Sequence, residues 1–168
     1  MDDELRTLLA ERAITRVLRN YTRAVDRFDW ELLRSCYWPG ATDDHGTFKG
    51  DVDAYVEYLQ GLMPRFERTS HQIGQMLVDV DLDAGVAATE TYATAHHRIV
   101  DDDGARDMVA GVRYVDRFER RGTEWRIAER VVAFDWHRTD PVTGRPGFPA
   151  GSVLGERSRQ DIAYRILD

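Results

Sequence analysis

Two polar residues near the end of the first helical segment have types and spacing suited to chemistry. Apolar residues recur at helical spacing along a predicted helix over residues 3–28, and their stripe comprises Leu5, Leu8, Leu9, Ala13, Val17, Tyr21, Ala24 and Val25. Asp26 follows one turn after Tyr21, at the edge of the stripe. An acid near a helix C-terminus is unfavourable because the helix dipole is already negative there. A functional site tolerates such a violation, although from this stretch alone a cap of the turn into Asp29 is the favoured interpretation.

Other polar clusters fit a reactive site less well. His96 and His97 are neighbours on a predicted strand, so they point to opposite faces and cannot easily bind one ion. The Asp-Asp-His run at residues 43–45 lies in a predicted hairpin, where solvated turn residues are the simpler interpretation. Residues 101–104 lack the alternating ligands of a calcium loop. The sequence therefore predicts no metal site and no cofactor.

The elements that must position Tyr21 and Asp26 begin with helices. Residues 3–28, 29–37 and 52–67 are predicted helices, with Asp29 and Asp51 as N-caps of the second and third. We expect the dipeptide at residues 39–40 (Pro-Gly) to end the second helix, and residues 41–48 to form a short hairpin.

Four long strands are predicted after the helices, at residues 70–82, 86–100, 107–120 and 124–138. The tight turns between them predict one antiparallel, strongly curved sheet. The fold class is therefore α+β: a cone-shaped α+β barrel whose curved antiparallel sheet and three N-terminal helices enclose a cavity. We expect one domain over residues 1–138. Residues 139–168 are predicted to be a loop and a last helix, at about 155–167, that pack on this domain or on a neighbouring subunit.

Composition limits the partners of the chain. Its 168 residues are 42% hydrophobic, which is enough for a core, and the net charge of −7 argues against nucleic acid or an anionic membrane as partner. The single cysteine, Cys36, excludes an intrachain disulfide and favours a reducing compartment. The acidic N-terminus precedes no apolar run, so we expect no signal peptide, no membrane span and a cytoplasmic location.

The order of these features is similar to that of a known family. The long helix with Tyr21 and Asp26 near its end, His71 at the start of the first long strand, and the segments at 111–120 (Gly-Val-Arg-Tyr-Val-Asp-Arg-Phe-Glu-Arg) and 125–130 (Trp-Arg-Ile-Ala-Glu-Arg) resemble SnoaL-like members of the nuclear transport factor 2-like superfamily. The best resemblance is to its dehydratase branch, which contains scytalone dehydratase, bile-acid 7α-dehydratase and hexachlorocyclohexane dehydrochlorinase. It covers about residues 5–136.

This resemblance implies a catalytic set. Asp26 and His71 match the catalytic Asp–His pair of the branch, and Arg130 matches a strand arginine. Tyr21 takes the place of the helix residue five positions before the Asp, which is Tyr or Lys in relatives. His96 falls near the second histidine of scytalone dehydratase.

The sequence departs from the branch at two positions that bear on the substrate. Thr94 stands where the bile-acid enzyme has an acidic residue, and Gln75 stands where many relatives carry Asn. The resemblance therefore implies a class of reaction without naming the substrate.

Strand alternation predicts which side chains face the cavity. If His71 faces it, so do Ile73, Gln75 and Leu77, while His97 is expected on the other face. The predicted substrate-binding residues are Tyr92, Thr94, His96, Val112, Tyr114, Val132, Phe134 and Trp136. Such a mostly apolar wall is typical of a small-molecule site. A packed core explains Val112, Val132 and Phe134 equally well, but buried Asp and Arg are rare without a partner or a task.

The implied set suggests proton abstraction. Asp26 would hold one ring nitrogen of His71 and leave the other as a base, with Tyr21 and Arg130 as donors to an oxygen. We therefore predict a cofactor-independent lyase, dehydratase-like, acting on a small hydrophobic cyclic molecule such as a polyketide- or steroid-like ketone. The alternatives are a ketosteroid-isomerase-like double-bond isomerase or aldol cyclase, and a non-catalytic ligand-binding module, which would not need a His–Asp pair.

The outer face of the sheet predicts self-association. Relatives of this type are commonly dimers or trimers built on that face. We place apolar Ile99 and Val115 there beside Arg113, and the apolar tail also needs a surface to cover it. The sequence therefore predicts a homo-oligomer, with a trimer slightly preferred over a dimer.

Overall fold

In the computed structural model, helices cover one face of a curved six-stranded sheet. The structure describes residues 2–144 and 147–167; Met1, Arg145, Pro146 and Asp168, which belong to the predicted N-terminus and tail, lie outside them. The helices are α1 (Asp3–Arg27), α2 (Trp30–Ser35), α3 (Val52–Leu62) and α4 (Ile162–Leu167), with a 3-10 turn (Met63–Arg65) after α3. The strands are β1 (Tyr37–Asp44), β2 (Lys49–Asp51), β3 (Arg68–Asp81), β4 (Val86–Asp101), β5 (Gly104–Arg121) and β6 (Glu124–Pro141). The predicted α+β class and curved sheet are confirmed.

The strand order is β2-β1-β6-β5-β4-β3, so β2 and β3 form the two edges of the sheet. The four long strands pair antiparallel, as expected from their tight turns. β1, which is not one of these four strands, runs parallel to β6. The chain between these two strands contains α3 and three long strands, and a connection of that length permits parallel pairing.

The core face of α1 differs from the predicted stripe in its first two turns. Its buried side chains include Ala10, Ile14, Leu18, Tyr21, Ala24 and Val25, whereas Leu5, Leu8 and Leu9 are exposed. Phe28 ends the helix with a positive φ of 56°, and its N–H donates to the carbonyl of Ala24. Asp29 then caps α2, as predicted, by accepting from the Leu32 N–H. The part of α1 that packs on the core thus begins at Ala10 and continues to the end of the helix.

The second and third helices end earlier than predicted, and a proline lies near each of the two ends. Pro39 and Gly40 lie inside β1, where the pairing with β6 shifts between Tyr37 and Thr42, so the strand accepts Pro at an irregularity. Helix α3 starts after the predicted cap Asp51, but it stops at Leu62 because Pro64 occupies the following 3-10 turn.

β-Bulges decide which side chains face inward. The β3–β4 register shifts between Ile73 and Met76, so Ile73 and Met76 pack on the core while Gln75 and Leu77, predicted to face the cavity, are exposed. In β5–β6, Gly111 pairs with Trp136 and Val112 pairs with Phe134, which leaves one extra residue in β6. After each bulge the alternation of faces is inverted.

Candidate functional site

A cavity of about 340 Å³ lies between the helices and the inner face of the sheet. Most of its lining is apolar, and Phe134, which is 59% exposed, lies at its mouth. The lining residues are Tyr21, Val25, His45, Thr47, Tyr55, Tyr58, Leu59, Leu62, Met63, Phe66, His71, Ala95, His97, Met108, Ala110, Val112, Tyr114, Val132, Phe134 and His137. An apolar pocket of this size with a few converging polar groups is the usual form of a small-molecule site.

Asp26 and His71 form a close pair at the end of α1 and the start of β3. The ring Nδ1 of His71 donates to Asp26 Oδ1 at 2.7 Å, and the His71 backbone N–H donates to Oδ2 at 2.9 Å. Burial opposes ionisation of the carboxyl, but these hydrogen bonds outweigh it and lower the pKa of Asp26. Asp26 therefore holds His71 through its Nδ1–H and leaves Nε2 as the proton acceptor.

A second histidine, His97, lies beside His71 in the cavity wall. The prediction had placed His96 there. The rings of His71 and His97 lie edge to face with centroids 5.3 Å apart. Burial, together with the nearby His71, lowers the pKa of His97 to about 3, so the ring is neutral at physiological pH. Its Nδ1 is buried and has no hydrogen-bond partner among the described residues. A ligand in the cavity could supply that partner.

The predicted face of β4 is wrong. His71 pairs with Ala95, and directly paired residues share a face, so Ala93, Ala95 and His97 point inward. Ile99 follows the same inward alternation and therefore does not belong to the outer face. Tyr92, Thr94 and His96 were predicted to bind the substrate, but they lie on the opposite face of β4, outside the cavity. His96 instead lies 3.1 Å from Asp107.

The other predicted wall residues lie mostly where alternation puts them. Val112, Tyr114, Val132 and Phe134 line the cavity, and so does Tyr21. Trp136 does not: the extra residue in β6 turns it to the outer face against Gly111 and brings His137 inward.

Arg130, expected as a donor to the substrate, lies behind the cavity wall. Its guanidinium donates to both carboxylate oxygens of Asp116, at 2.6 and 2.7 Å, and stacks on the rings of Tyr21 and Tyr114. Burial disfavours the charge, but Asp116 keeps the pKa of Arg130 well above its usual value. Arg130 is therefore a fully buried cation that supports the two tyrosines and is not among the residues lining the cavity.

A second Asp–His pair, which the sequence analysis interpreted as solvated turn residues, also faces the cavity. The ring Nδ1 of His45 donates to the buried Asp43, and Nε2 lies 3.0 Å from the Tyr55 hydroxyl. The spacing could have revealed it, because Asp43 and His45 are two residues apart at the end of a strand and so share a face. Tyr55 comes from α3, and no local pattern shows that contact.

Two features are absent from the described residues. Within residues 2–144 and 147–167, no group of three His, Cys, Asp or Glu side chains is arranged to hold a metal ion. No helix in the same ranges is both long and apolar enough to cross a membrane.

Comparison with solved structures gives the fold of the chain. A hexachlorocyclohexane dehydrochlorinase of type 3 from Novosphingobium barchaimii is 17% identical, with a TM-score of 0.73 over 87% of this chain and 99% of that one. A proposed scytalone dehydratase from Novosphingobium aromaticivorans is 21% identical, with a TM-score of 0.70 over 88% and 97%. A Mycobacterium tuberculosis protein of unknown function is 19% identical, with a TM-score of 0.69 over 80% and 77%.

Sequence comparison gives the family. No curated protein sequence matches the chain. The SnoaL-like domain family matches residues 6–131. This range contains most of the sheet and all three N-terminal helices, apart from the first three residues of α1. Since the match spans well over half of its length, the chain belongs to the SnoaL-like domain family and has the cone-shaped fold of the nuclear transport factor 2-like superfamily.

Proposed function

We propose that this protein is a cofactor-independent lyase that removes water from a small hydrophobic cyclic ketone, with His71 as the base. One observation carries the proposal: the Asp26–His71 pair faces a mostly apolar cavity, and His71 engages both carboxylate oxygens of Asp26. A binding module gains nothing from a carboxylate that fixes one imidazole tautomer, whereas a base requires it.

The proposed reaction starts with proton abstraction. Nε2 of His71 takes a proton from the carbon next to a carbonyl group, and Asp26 stabilises the imidazolium that forms. A positioned base of this kind contributes about 10²–10⁴ in rate. The neutral His97, whose buried Nδ1 is unpartnered among the described residues, is suited to donate to the carbonyl oxygen.

The tyrosines supply donors for another substrate oxygen. Tyr21 and Tyr55 line the cavity with their hydroxyl oxygens 2.7 Å apart. Burial raises the pKa of both phenols well above the usual value, so both stay protonated, and Tyr21 can donate to a substrate oxygen while Tyr55 donates to Tyr21. Arg130 contributes indirectly, because its cation lies 4.1 Å from the Tyr21 ring centroid and fixes that ring in the wall.

The cavity volume limits the substrate. At about 340 Å³ it lies near the lower end of the range for ligand pockets, which is about 300–1,000 Å³. A one- or two-ring ketone of polyketide type is therefore a better fit than a complete steroid skeleton. Val112 and Val132 would contact the ring faces, and Phe134 would lie over the mouth.

A double-bond isomerase is the second candidate. The same base would remove the proton and return it to another carbon, while the paired hydroxyls of Tyr21 and Tyr55 would stabilise the dienolate oxygen. The two reactions differ in product mass, because elimination lowers it by one water and isomerisation leaves it unchanged.

The test follows proton abstraction itself. Wild-type protein and the variants His71→Gln and Asp26→Asn are incubated in D₂O with a panel of one- and two-ring ketones, some carrying a β-hydroxyl. Mass spectrometry then measures deuterium uptake at carbon and loss of water. We expect uptake with wild type and a loss of about 10²-fold or more in both variants.

A matched control lies in the next strand. His96 also contacts a carboxylate, that of Asp107, but it lies outside the cavity, so His96→Gln is expected to behave as wild type. Saturable ligand binding without deuterium uptake by any protein would make the chain a binding module. Equal loss in His71→Gln and His96→Gln would remove His71 from the mechanism.

A further inference from the structure

The wall of the cavity holds a second complete hydrogen-bonded pair of acid and imidazole. Asp43, near the end of β1, is buried; one carboxylate oxygen accepts from His45 Nδ1 and the other accepts from the Tyr37 hydroxyl at 2.6 Å. Both oxygens are therefore used, and the ring is fixed with Nε2 towards the tyrosines. His45 also stacks on the Tyr55 ring with centroids 4.7 Å apart.

Nε2 of His45 meets two hydroxyl groups that also touch each other. It lies 3.0 Å from the Tyr55 oxygen and 3.3 Å from the Tyr21 oxygen, and the two oxygens are 2.7 Å apart. All three side chains line the cavity. This triangle of polar atoms lies in a wall that is otherwise mostly apolar. Because the three atoms hydrogen-bond one another, the triangle is stable without a ligand and is held in a fixed geometry.

The protons in this triangle can be counted for each state of His45. When the ring is neutral, Nε2 accepts from Tyr55 and the Tyr21 hydroxyl can donate to Tyr55, so no proton is left over. When the ring is protonated, Nε2–H donates to Tyr55, Tyr55 donates to Tyr21, and the Tyr21 hydroxyl is free to donate to a ligand. The array can thus hand one proton to an oxygen in the cavity.

The two Asp–His pairs come from different parts of the sheet. His71 lies on β3, which is one edge, whereas Asp43 lies on β1, next to the other edge. The curvature of the sheet brings both rings to one cavity. A base and a separate proton donor are what an elimination requires when its leaving group is hydroxide.

We propose that Asp43 and His45, acting through the Tyr55 and Tyr21 hydroxyls, form the general acid that protonates the leaving hydroxyl of a β-hydroxy ketone. The inference rests on the proposed lyase function and assigns the second half of its reaction. His71 breaks the C–H bond and keeps the proton, and the electron pair becomes the C=C bond. The C–O bond breaks with its electrons on oxygen, Tyr21 supplies a proton and water leaves.

The proton is replaced along the array. Tyr21 takes a proton from Tyr55, Tyr55 takes one from His45 Nε2, and His45 becomes neutral. The cycle is reset when His71 gives one proton to solvent and His45 takes one. Asp43 is a positioning residue throughout, because it touches only His45 and Tyr37 in this array.

The experiment compares two leaving groups. The probes are a two-ring β-hydroxy ketone and the same ketone with chloride in place of hydroxyl, since chloride departs without a proton; uncatalysed elimination is subtracted. We expect His45→Gln to slow elimination of water by about 10²–10⁴ and to slow loss of chloride much less. Asp43→Asn should change the ratio of the two rates in the same direction, and His96→Gln should leave it at the wild-type value.

Failure of this inference and failure of the proposed function give different results. If His45→Gln slows both probes equally, or neither, His45 is not the acid. If His71→Gln leaves both rates at the wild-type value, the proposed base is wrong and the lyase function falls with it. Asp43 is buried, so its variant could fail to fold. Tyr55→Phe removes the hydroxyl between His45 and Tyr21 instead, and it should slow loss of water relative to loss of chloride in the same way.

Discussion

At the scale of single residues, Asp26→Asn separates a catalytic carboxylate from a structural one. The variant keeps the acceptor for the His71 backbone N–H but loses the charge that fixes the ring, so we expect turnover to fall by about 10⁴, as for the equivalent change in a serine protease triad. Stability should fall by about 1.5–3 kcal/mol, the usual contribution of a hydrogen bond to a charged group. Turnover assays and melting curves measure the two effects.

The pH dependence of that stability loss has a defined sign. The pKa of Asp26 is lowered in the folded state, so its ionised form stabilises the fold above the unfolded value of 3.8. The difference between wild type and Asp26→Asn should therefore be largest near neutral pH and shrink as the pH falls through the lowered pKa. Asp107→Asn, at the pair outside the cavity, is the control and should keep full turnover.

His97 is expected to make the protein sensitive to acid. The unfolded chain binds a proton at this residue near pH 6.5, but the folded protein binds it only at about pH 3. Between these values the unfolded state holds more protons, so stability falls as pH falls, by at most about 1.4 kcal/mol per pH unit. His97→Phe removes this dependence, and denaturant titrations at several pH values should show a flatter profile than wild type. An unchanged profile would show that His97 is already accessible to protons.

The sequence predicted individual residues well where their partners are local. Asp29 and Asp51 cap their helices as their positions predict, because a cap depends on residues three positions away. The place of His45 in the cavity wall was not predicted, because its hydrogen-bond partners Tyr21 and Tyr55 are 24 and 10 positions away in the sequence. Arg130 was placed in the right strand, but its buried partner Asp116 turns it into support for the wall.

At the scale of elements, the bulge in β6 makes a prediction about Gly111. A Cβ at this position would overlap the ring of Trp136, which covers the glycine on the outer face. We expect Gly111→Ala to lower the melting temperature, since the ring or the strand must move. Gly61→Ala is the matched control: it lies in α3 with open space around it, and should be neutral or stabilising by up to about 1 kcal/mol.

A double variant tests that explanation. If the added methyl group strikes the Trp136 ring, removing the ring with Trp136→Ala should make a further Gly111→Ala change nearly free of cost. Equal destabilisation by Gly111→Ala with and without the tryptophan would locate the strain in the backbone instead.

Strand positions were predictable to within a few residues, but the direction of side chains was not. Alternation is reliable along an unbroken strand, which is why Val112, Tyr114 and Val132 were placed correctly. One extra residue in β6 turned Trp136 outward and His137 inward, and nothing in the sequence marks a bulge there. The face of β4 was wrong for another reason, because it depends on the register with β3.

At the scale of the whole molecule, the outer face of the sheet supports the prediction of a homo-oligomer. Leu77, Glu90, Val115 and Val131 are successive register partners across four strands, and the three apolar members are exposed. Sedimentation at micromolar concentration should show a trimer or a dimer. Val131→Glu, at the end of this row on β6, should reduce the number of subunits in the oligomer and leave the cavity intact. A wild-type protein that sediments as a monomer would contradict the prediction.

The placement of the two Asp–His pairs near different edges of one curved sheet has a stereochemical consequence. A substrate ring that lies between His71 and the Tyr21 hydroxyl would lose its proton on one face and its oxygen on the other. The elimination should then be anti, with hydrogen and hydroxyl leaving from opposite faces of the substrate. Of two diastereomers labelled with deuterium at the reacting carbon, the one whose deuterium is anti to the hydroxyl should lose the label, and the other should keep it in the alkene.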